Sequence, residues 1–412
     1  MVVIGIAPSI VAYKRKTLPN SLVLREYPFD SLERTSILDF SPTIPDNAVI
    51  NHLLQFHQMI VPVALGSRSY NIAVGSSQLQ DIGRILVAQQ PISSVVILTD
   101  ANVQHHGYPE RVAVAIAEEG IVVYTLSVAA GEQSKSIETA NTLWETLLEK
   151  GTDRKSVLVA VGGGVVGDLG GFVAATYARG IRFFQIPTSL LAQVDSSVGG
   201  KVGIDLTAAK NMVGAFHQPL GVLIDTKTLQ TLPEEEYLSG LGEVVKYGVS
   251  LDADLFQFIE ENIEPIKCRD GAVLQKIIAE CCRIKARIVA EDEHETKGHR
   301  ILLNYGHTFG HAFEIASNYT ILHGLAVSMG MICAARLAMR LNLVDEAFLH
   351  RQLALHQALG LPVEYPSEFE PQRIVELMRY DKKSEFGKLR FVLPAGLGQC
   401  RVVGGIEPKH VF

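Results

Sequence analysis

Apolar residues follow three different rhythms along the chain. Between residues 60 and 74 they alternate, in Val61, Val63 and Leu65 and again in Tyr70, Ile72 and Val74. That period of two belongs to half-buried strands, and the Gly66-Ser67 pair between the runs predicts a β-hairpin. Short β-branched runs at 94–98, 122–126 and 156–161 follow, separated by helix-length segments such as 136–149. This is the pattern of a parallel α/β sheet. Beyond about residue 232 the rhythm changes to helical spacing, over 236–249, 254–262, 272–291, 304–317 and 324–341, which predicts an all-helical second domain. Residues 1–57 hold no period and carry Pro8, Pro19, Pro28, Pro42 and Pro45. The expected organisation is therefore a loosely ordered extension at 1–57, an α/β domain at 58–231 and an all-α domain at 232–412. Glu26, Asp30, Glu33, Asp39 and Asp46 are too many acids for a transit peptide.

Composition narrows the function. A 412-residue chain, 47% hydrophobic and 20% charged, supports two sizeable cores. Its formal net charge of −7 comes with no basic stripe, which argues against a general nucleic-acid or membrane-surface role. No apolar run reaches the roughly 18 residues needed to span a bilayer. An anionic ligand must then be met by a local cluster of cations. Five cysteines without C-x-x-C spacing suggest neither a disulfide framework nor a thiolate metal site and fit a reducing cytoplasm.

Such a cluster lies just after the third β-branched run. Gly162-Gly163-Gly164-Val165-Val166-Gly167-Asp168 is followed by Arg179, Thr188-Ser189, Asp195, Lys201, Lys210 and Asn211. Glycines opening a helix let backbone N–H groups approach a pyrophosphate, although the same residues also serve tight turns that need positive φ. Two further loops, Asp100-Ala101-Asn102 and Gly131-Glu132-Gln133-Ser134-Lys135, end predicted strands where α/β sheets bind nucleotides. On the residues alone Asp100 reads better as a helix N-cap. In the helical half, Glu243, His307, His311 and His323 offer the carboxylate and imidazole donors that suit zinc or cobalt. His307 and His311 lie four residues apart, so spacing alone allows both as ligands. A lone histidine is otherwise a hydrogen-bonded, half-buried residue, and lysines near glutamates, as Lys246 is to Glu243, are usually solvated pairs.

The segments Gln193-Val194-Asp195-Ser196-Ser197-Val198-Gly199-Gly200-Lys201, Lys210-Asn211-Met212-Val213-Gly214-Ala215-Phe216 and Asn304-Tyr305-Gly306-His307-Thr308-Phe309-Gly310-His311 closely resemble blocks of the 3-dehydroquinate synthase family, from about residue 58 to the C-terminus. The resemblance implies an NAD domain joined to a helical metal domain, in a cytoplasmic homodimer. It also implies conversion of the sugar phosphate 3-deoxy-D-arabino-heptulosonate 7-phosphate to 3-dehydroquinate and phosphate, with NAD regenerated in each turnover. For NAD it implies Asp100, Asn102, Gly131, Glu132, Lys135, Gly163, Gly164, Val165, Gly167, Asp168, Thr188, Ser189, Thr228 and Thr231, with Lys201 and Lys210. It assigns Zn2+ or Co2+ to Glu243, His307 and His323, and turns His311 to the substrate phosphate together with Arg179, Lys210, Asn211 and Asn304. Lys201, Lys246, Lys285 and Arg300 match carboxylate and hydroxyl positions, Asp195 a ribose or substrate contact, and one of Lys382 and Lys383 a closing lysine. One departure is Leu325, where the family usually has glutamate. Others are Ser189 for threonine and an extra residue around 296–299. The competing readings are another sugar phosphate cyclase, a glycerol-dehydrogenase-like enzyme, and a catalytically silent nucleotide-binding relative.

Overall fold

The computed structural model describes residues 23–26, 58–89, 91–207, 209–378, 389–407 and 411. Ten strands occupy the first half: β1 Val23–Glu26, β2 Met59–Val63, β3 Tyr70–Gly75, β4 Ser94–Asp100, β5 Val122–Val128, β6 Val157–Gly162, β7 Arg182–Pro187, β8 Lys201–Leu206, β9 Ala209–Phe216 and β10 Gly221–Asp225. Eight of them form one sheet in the order β1-β5-β4-β6-β7-β10-β3-β2. The six inner strands run parallel, and β1 and β2 pair antiparallel at the two edges. Inner strands such as β6 are buried along their whole length, as a parallel sheet covered on both faces requires. The expected hairpin is β2–β3. The expected extension at 1–57 lies outside the described residues apart from β1.

Helices α1 Ile82–Val87, α2 Ala101–His105 and α3 Tyr108–Ala117 accompany one side of the sheet, and α4 Ile137–Glu149 and α5 Gly164–Thr176 the other. Ile82, Leu86, Val112 and Ile116 pack on Val95, Ile97 and Val159. Leu143, Leu147, Leu169 and Val173 pack on Val96, Leu98 and Leu158. The second half contains α6 Glu234–Leu251, α7 Ala253–Glu261, α8 Ile263–Lys267, α9 Gly271–Glu291, α10 His307–Ala316, α11 His323–Arg340, α12 Glu346–Ala358 and α13 Pro371–Met378. It also carries a two-stranded hairpin, β11 Arg390–Gly396 with β12 Gln399–Gly404, which the helical periodicity did not announce. A third apolar cluster joins the halves, with Val61, Ile72, Leu190 and Val194 packing on Val244, Tyr247 and Ile278. Among the described residues no helix is long and apolar enough to cross a membrane.

The chain leaves β4 for β5 on one side and returns to β6 on the other, so the strand order reverses between β4 and β6. Open α/β sheets place ligands at the carboxyl ends of strands at such a reversal. Asp100 ends β4 and Gly162 ends β6.

Candidate active site

At the end of β6 the backbone enters α5 through Gly163, whose φ of −74° is ordinary. None of Gly162, Gly163, Gly164 and Gly167 is among the positive-φ glycines, so they are not required by a left-handed turn. Space explains them. A Cβ on Gly163 would come 3.3 Å from Ser189 Oγ, one on Gly164 3.2 Å from Ser196 Oγ, and one on Gly167 2.9 Å from Gln185 Oε1. Bare backbone at the start of a 13-residue helix leaves a cradle with N–H groups directed outward, suited to a phosphate. Thr188 is buried and its N–H donates to the Gly162 carbonyl at 2.9 Å. Asp100 does cap α2, accepting from Val103 N at 3.0 Å, and Asn102 is exposed beside it.

The hairpin β8–β9 folds this region together. Asp205 N–H donates to the Lys135 carbonyl at 2.8 Å, and Asn211 N–H to Asp205 Oδ1 at 2.6 Å. The Lys135 ammonium donates to Asp168 at 2.9 Å and to Asn211 Oδ1 at 2.6 Å, and lies 3.6 Å from Glu132. Burial works against the Lys135 charge, but Asp168 and Glu132 raise its pKa overall. Lys210 is 3.6 Å from the same Glu132 carboxylate and 4.4 Å from the centre of the Tyr319 ring. Glu132, Lys135, Asp168, Lys210 and Asn211 thus form one network although up to 79 residues of sequence separate them.

Helices α6, α10 and α11 meet at glycines. A Cβ on Gly324 would lie 1.7 Å from the Ser239 carbonyl oxygen, and one on Gly330 2.2 Å from that of Gly306. Gly306, at φ +80°, breaks the backbone before His307, so the helix expected from 304 starts at 307. Backbones this close bring Glu243, His307 and His323 to a point where their ligand atoms all lie within 4.8 Å of one another. Glu243 Oε1 is 3.7 Å from His307 Nε2 and 3.4 Å from His323 Nε2. Both Glu243 oxygens are fully buried and accept no well-aligned hydrogen bond, although the Lys246 ammonium forms an ion pair with Oε2. Burial would raise the Glu243 pKa, but Lys246 and His323 hold it down at about 2. Burial opposes charge on His323 as well, yet Glu243 and Glu314 raise it to about 10. Two imidazoles beside a buried carboxylate that accepts no well-aligned hydrogen bond fit a divalent ion such as zinc or cobalt. His311 sits beside them, its ring centre 5.4 Å from that of His307 and 5.9 Å from that of His323.

Between the metal trio and the glycine cradle lies Asp195, in a π-turn over Ala192–Ser196. It accepts from the Tyr247 hydroxyl at 2.6 Å and from Lys285 Nζ at 2.7 Å. Burial would raise its pKa, but Lys285 and Lys246 hold it well below the usual carboxylate range. Lys246 and Lys285 are buried, not solvated surface lysines. Lys201 and Arg300 meet at Glu295: Lys201 forms an ion pair with it, and Arg300 Nε is 3.4 Å from Oε1. Asn304 is half-buried at the end of the 3₁₀ turn His299–Asn304.

Several sequence expectations are placed apart. Arg179 is exposed beyond the C-terminal end of α5, about 20 Å along the helix from the glycine cradle. Thr228 is buried and its hydroxyl bonds the Asp225 carbonyl at 2.8 Å, while Thr231 bonds the Tyr108 hydroxyl at 2.8 Å. Lys382 and Lys383 lie outside the described residues. Sequence reasoning missed Tyr247 and Glu314. Their signal was helical phase, since Tyr247 is four residues after Glu243 and Glu314 seven after His307.

Comparison with known proteins bears on this geometry. Residues 125–239 match the family described as 3-dehydroquinate synthase N-terminal, and residues 240–384 the one described as 3-dehydroquinate synthase C-terminal. The 3-dehydroquinate synthase of Desulforamulus reducens is 49% identical over 353 residues, covering 85% of this chain and 98% of the relative. That of Rhodopirellula baltica is 44% identical, over 85% and 95%. Among solved structures, a 2-deoxy-scyllo-inosose synthase complexed with carbaglucose-6-phosphate, NAD+ and Co2+ matches with a TM-score of 0.77 at 27% identity, over 86% of this chain and 98% of that one. ValA, a 2-epi-5-epi-valiolone synthase from Streptomyces hygroscopicus subsp. jinggangensis with NAD+ and Zn2+ bound, gives 0.77 at 27%, over 84% and 96%. A probable glycerol dehydrogenase from Sinorhizobium meliloti, at 0.55 and 13% over 82% of this chain and 92% of that one, shares the fold.

Proposed function

The chain belongs to the 3-dehydroquinate synthase family, and from that premise we propose that it converts 3-deoxy-D-arabino-heptulosonate 7-phosphate to 3-dehydroquinate and phosphate with NAD and a divalent metal. The observation that carries this reading is the meeting of Glu243, His307 and His323 beside the buried cations Lys246 and Lys285. Glu243, His307 and His323 would hold the metal, and the cradle at Gly163, Gly164, Val165 and Gly167 would hold the NAD pyrophosphate, with Asp168, Thr188 and Ser189 beside it. Asp100, Asn102, Gly131, Glu132 and Lys135 complete the cofactor site. Thr228 and Thr231 keep their cofactor role on resemblance alone. When bound, the ion supplies Lewis acidity toward substrate hydroxyls, and NAD accepts and later returns one hydride.

The residues supply charge and position. Asp195, kept ionised by Lys285 and Lys246, receives a hydrogen bond from a substrate or ribose hydroxyl. Lys201 and Arg300 bind the substrate carboxylate in place of Glu295. Lys210, Asn211, Asn304 and His311 surround the phosphate and stabilise the charge that grows as it leaves. The cleft is richer in cations than in free general bases, so the substrate's own phosphate oxygen takes the C6 proton during elimination. Ring opening and aldol closure then need a held geometry more than further groups. Arg179 keeps its phosphate role, and one of Lys382 and Lys383 its closing role, on resemblance alone. A homodimer in the cytoplasm is the proposed setting.

A net alcohol dehydrogenase of the same fold would have no use for a phosphate clamp. Incubation of the metal-loaded protein with the heptulosonate phosphate and NAD tests the reading. Phosphate and 3-dehydroquinate should appear in equal amounts, and phosphate without 3-dehydroquinate, or neither, would refute it.

A further inference from the structure

The imidazole of His323 is held from both sides. Nε2 points to Glu243, 3.4 Å away, while Nδ1 lies 3.2 Å from Glu314 Oε2. Glu314 is on α10, seven residues beyond His307 and three beyond His311, and is only 8% exposed. A buried carboxylate needs a donor, and His323 Nδ1–H supplies one. His307 is arranged in parallel, its Nδ1 being 3.1 Å from the Tyr305 carbonyl oxygen. In each ring the hydrogen bond at Nδ1 keeps a proton there, so Nε2 is the nitrogen left to bind an ion, in His323 once the ion displaces the second proton. Leu325, on the same turn as His323, is half-buried against the apolar core and offers no acceptor. The carboxylate that orients His323 therefore comes from a different helix.

We infer that Glu314 is a positioning residue, which fixes the tautomer and ring orientation of His323 for metal binding from across the α10–α11 interface. This rests on the metal site proposed above. Partners of ligand imidazoles of this kind change metal affinity by roughly 10- to 100-fold when removed. Glutamine retains an acceptor oxygen, whereas alanine has none.

The test uses the full chain, stripped of metal, with Zn2+ affinity measured by competition with a chromophoric chelator and folding followed by thermal unfolding. The variants are Glu314→Ala, Glu314→Gln and Glu243→Gln. The expected result is a loss of affinity on the order of 10- to 100-fold for Glu314→Ala, with most of it restored in Glu314→Gln. At saturating metal, kcat should fall in Glu314→Ala while KM for NAD holds. Equal losses in the alanine and glutamine variants, or alanine binding Zn2+ as tightly as wild type, would overturn the inference. Abolished binding in Glu314→Gln with binding retained in Glu243→Gln would also overturn it, because Glu314 would then be a ligand, grouped with His311 and His323. A wild-type chain that binds no Zn2+ would overturn the metal reading along with it.

Discussion

Asp195 would protonate readily if burial acted alone, yet Lys285, Lys246 and the Tyr247 hydroxyl surround it. Replacing Tyr247 by phenylalanine removes one hydrogen bond to a charged group, typically worth about 1.5–3 kcal/mol. A lowered unfolding midpoint and about a tenfold or greater fall in kcat/KM are expected, and unchanged values would show that the bond orients nothing. Asp195→Asn should cost more, on the order of 3–5 kcal/mol, because it takes the countercharge from the buried Lys285 ammonium. The folded carboxyl titrates below its ordinary value of 3.8, so its contribution is present above that value and lost as pH falls through the folded one. The stability gap between wild type and Asp195→Asn should therefore narrow on acidification, as urea titrations at a series of pH values would reveal. At this scale the sequence motifs carried the charged residues, Lys246 and Lys285 among them, through resemblance. They did not carry Tyr247 or Glu314, because helical phase puts both on the face of a ligand residue but does not say which partner they meet until the neighbouring elements are placed.

Glycine sets how closely α6 and α11 approach. Gly324→Ala would force a methyl group toward the Ser239 carbonyl, where 1.7 Å is available. Overpacking of this kind costs about 1–3 kcal/mol or more, and here the strain falls next to His323. Both a lower unfolding midpoint and weaker Zn2+ binding are expected; an effect on stability alone would separate the helix contact from the metal site. On α12, His356 is fully buried against Ser328, with 2.8 Å between Nδ1 and Oγ, and burial holds its pKa down at about 3 against an ordinary 6.5. The unfolded chain takes up the proton first as pH drops, so stability should fall by up to about 1.4 kcal/mol per pH unit between those values. His356→Gln should flatten that slope, and an unaltered profile would show that other groups cause it. Strands β4, β5 and β6 and the helices that carry Glu243, His307 and His323 were legible from their periods, but the hairpin β8–β9, which carries Lys201, Lys210 and Asn211, was not expected. Nor was the hairpin β11–β12, since two short strands that pair only with each other leave a weak alternation at the end of a helical region.

Across the whole molecule, the sequence revealed that a parallel sheet precedes a helical unit but not how the strands are ordered. Local periodicity fixes which face of a strand is buried and is silent about its neighbour. The reversal between β4 and β6 is what brings Asp100, the glycine cradle and the Lys135 network to one edge, facing the trio on α6, α10 and α11. That placement puts the proposed cofactor and metal residues side by side, and under the proposed function it accounts for a redox cofactor in a reaction with no net oxidation: hydride leaves and returns without the substrate departing. The most direct measurement is the number of turnovers per NAD. With NAD far below the substrate concentration and metal saturating, 3-dehydroquinate should exceed NAD many times over with no build-up of NADH absorbance. Product that stops at one equivalent per NAD, with matching NADH, would contradict the account.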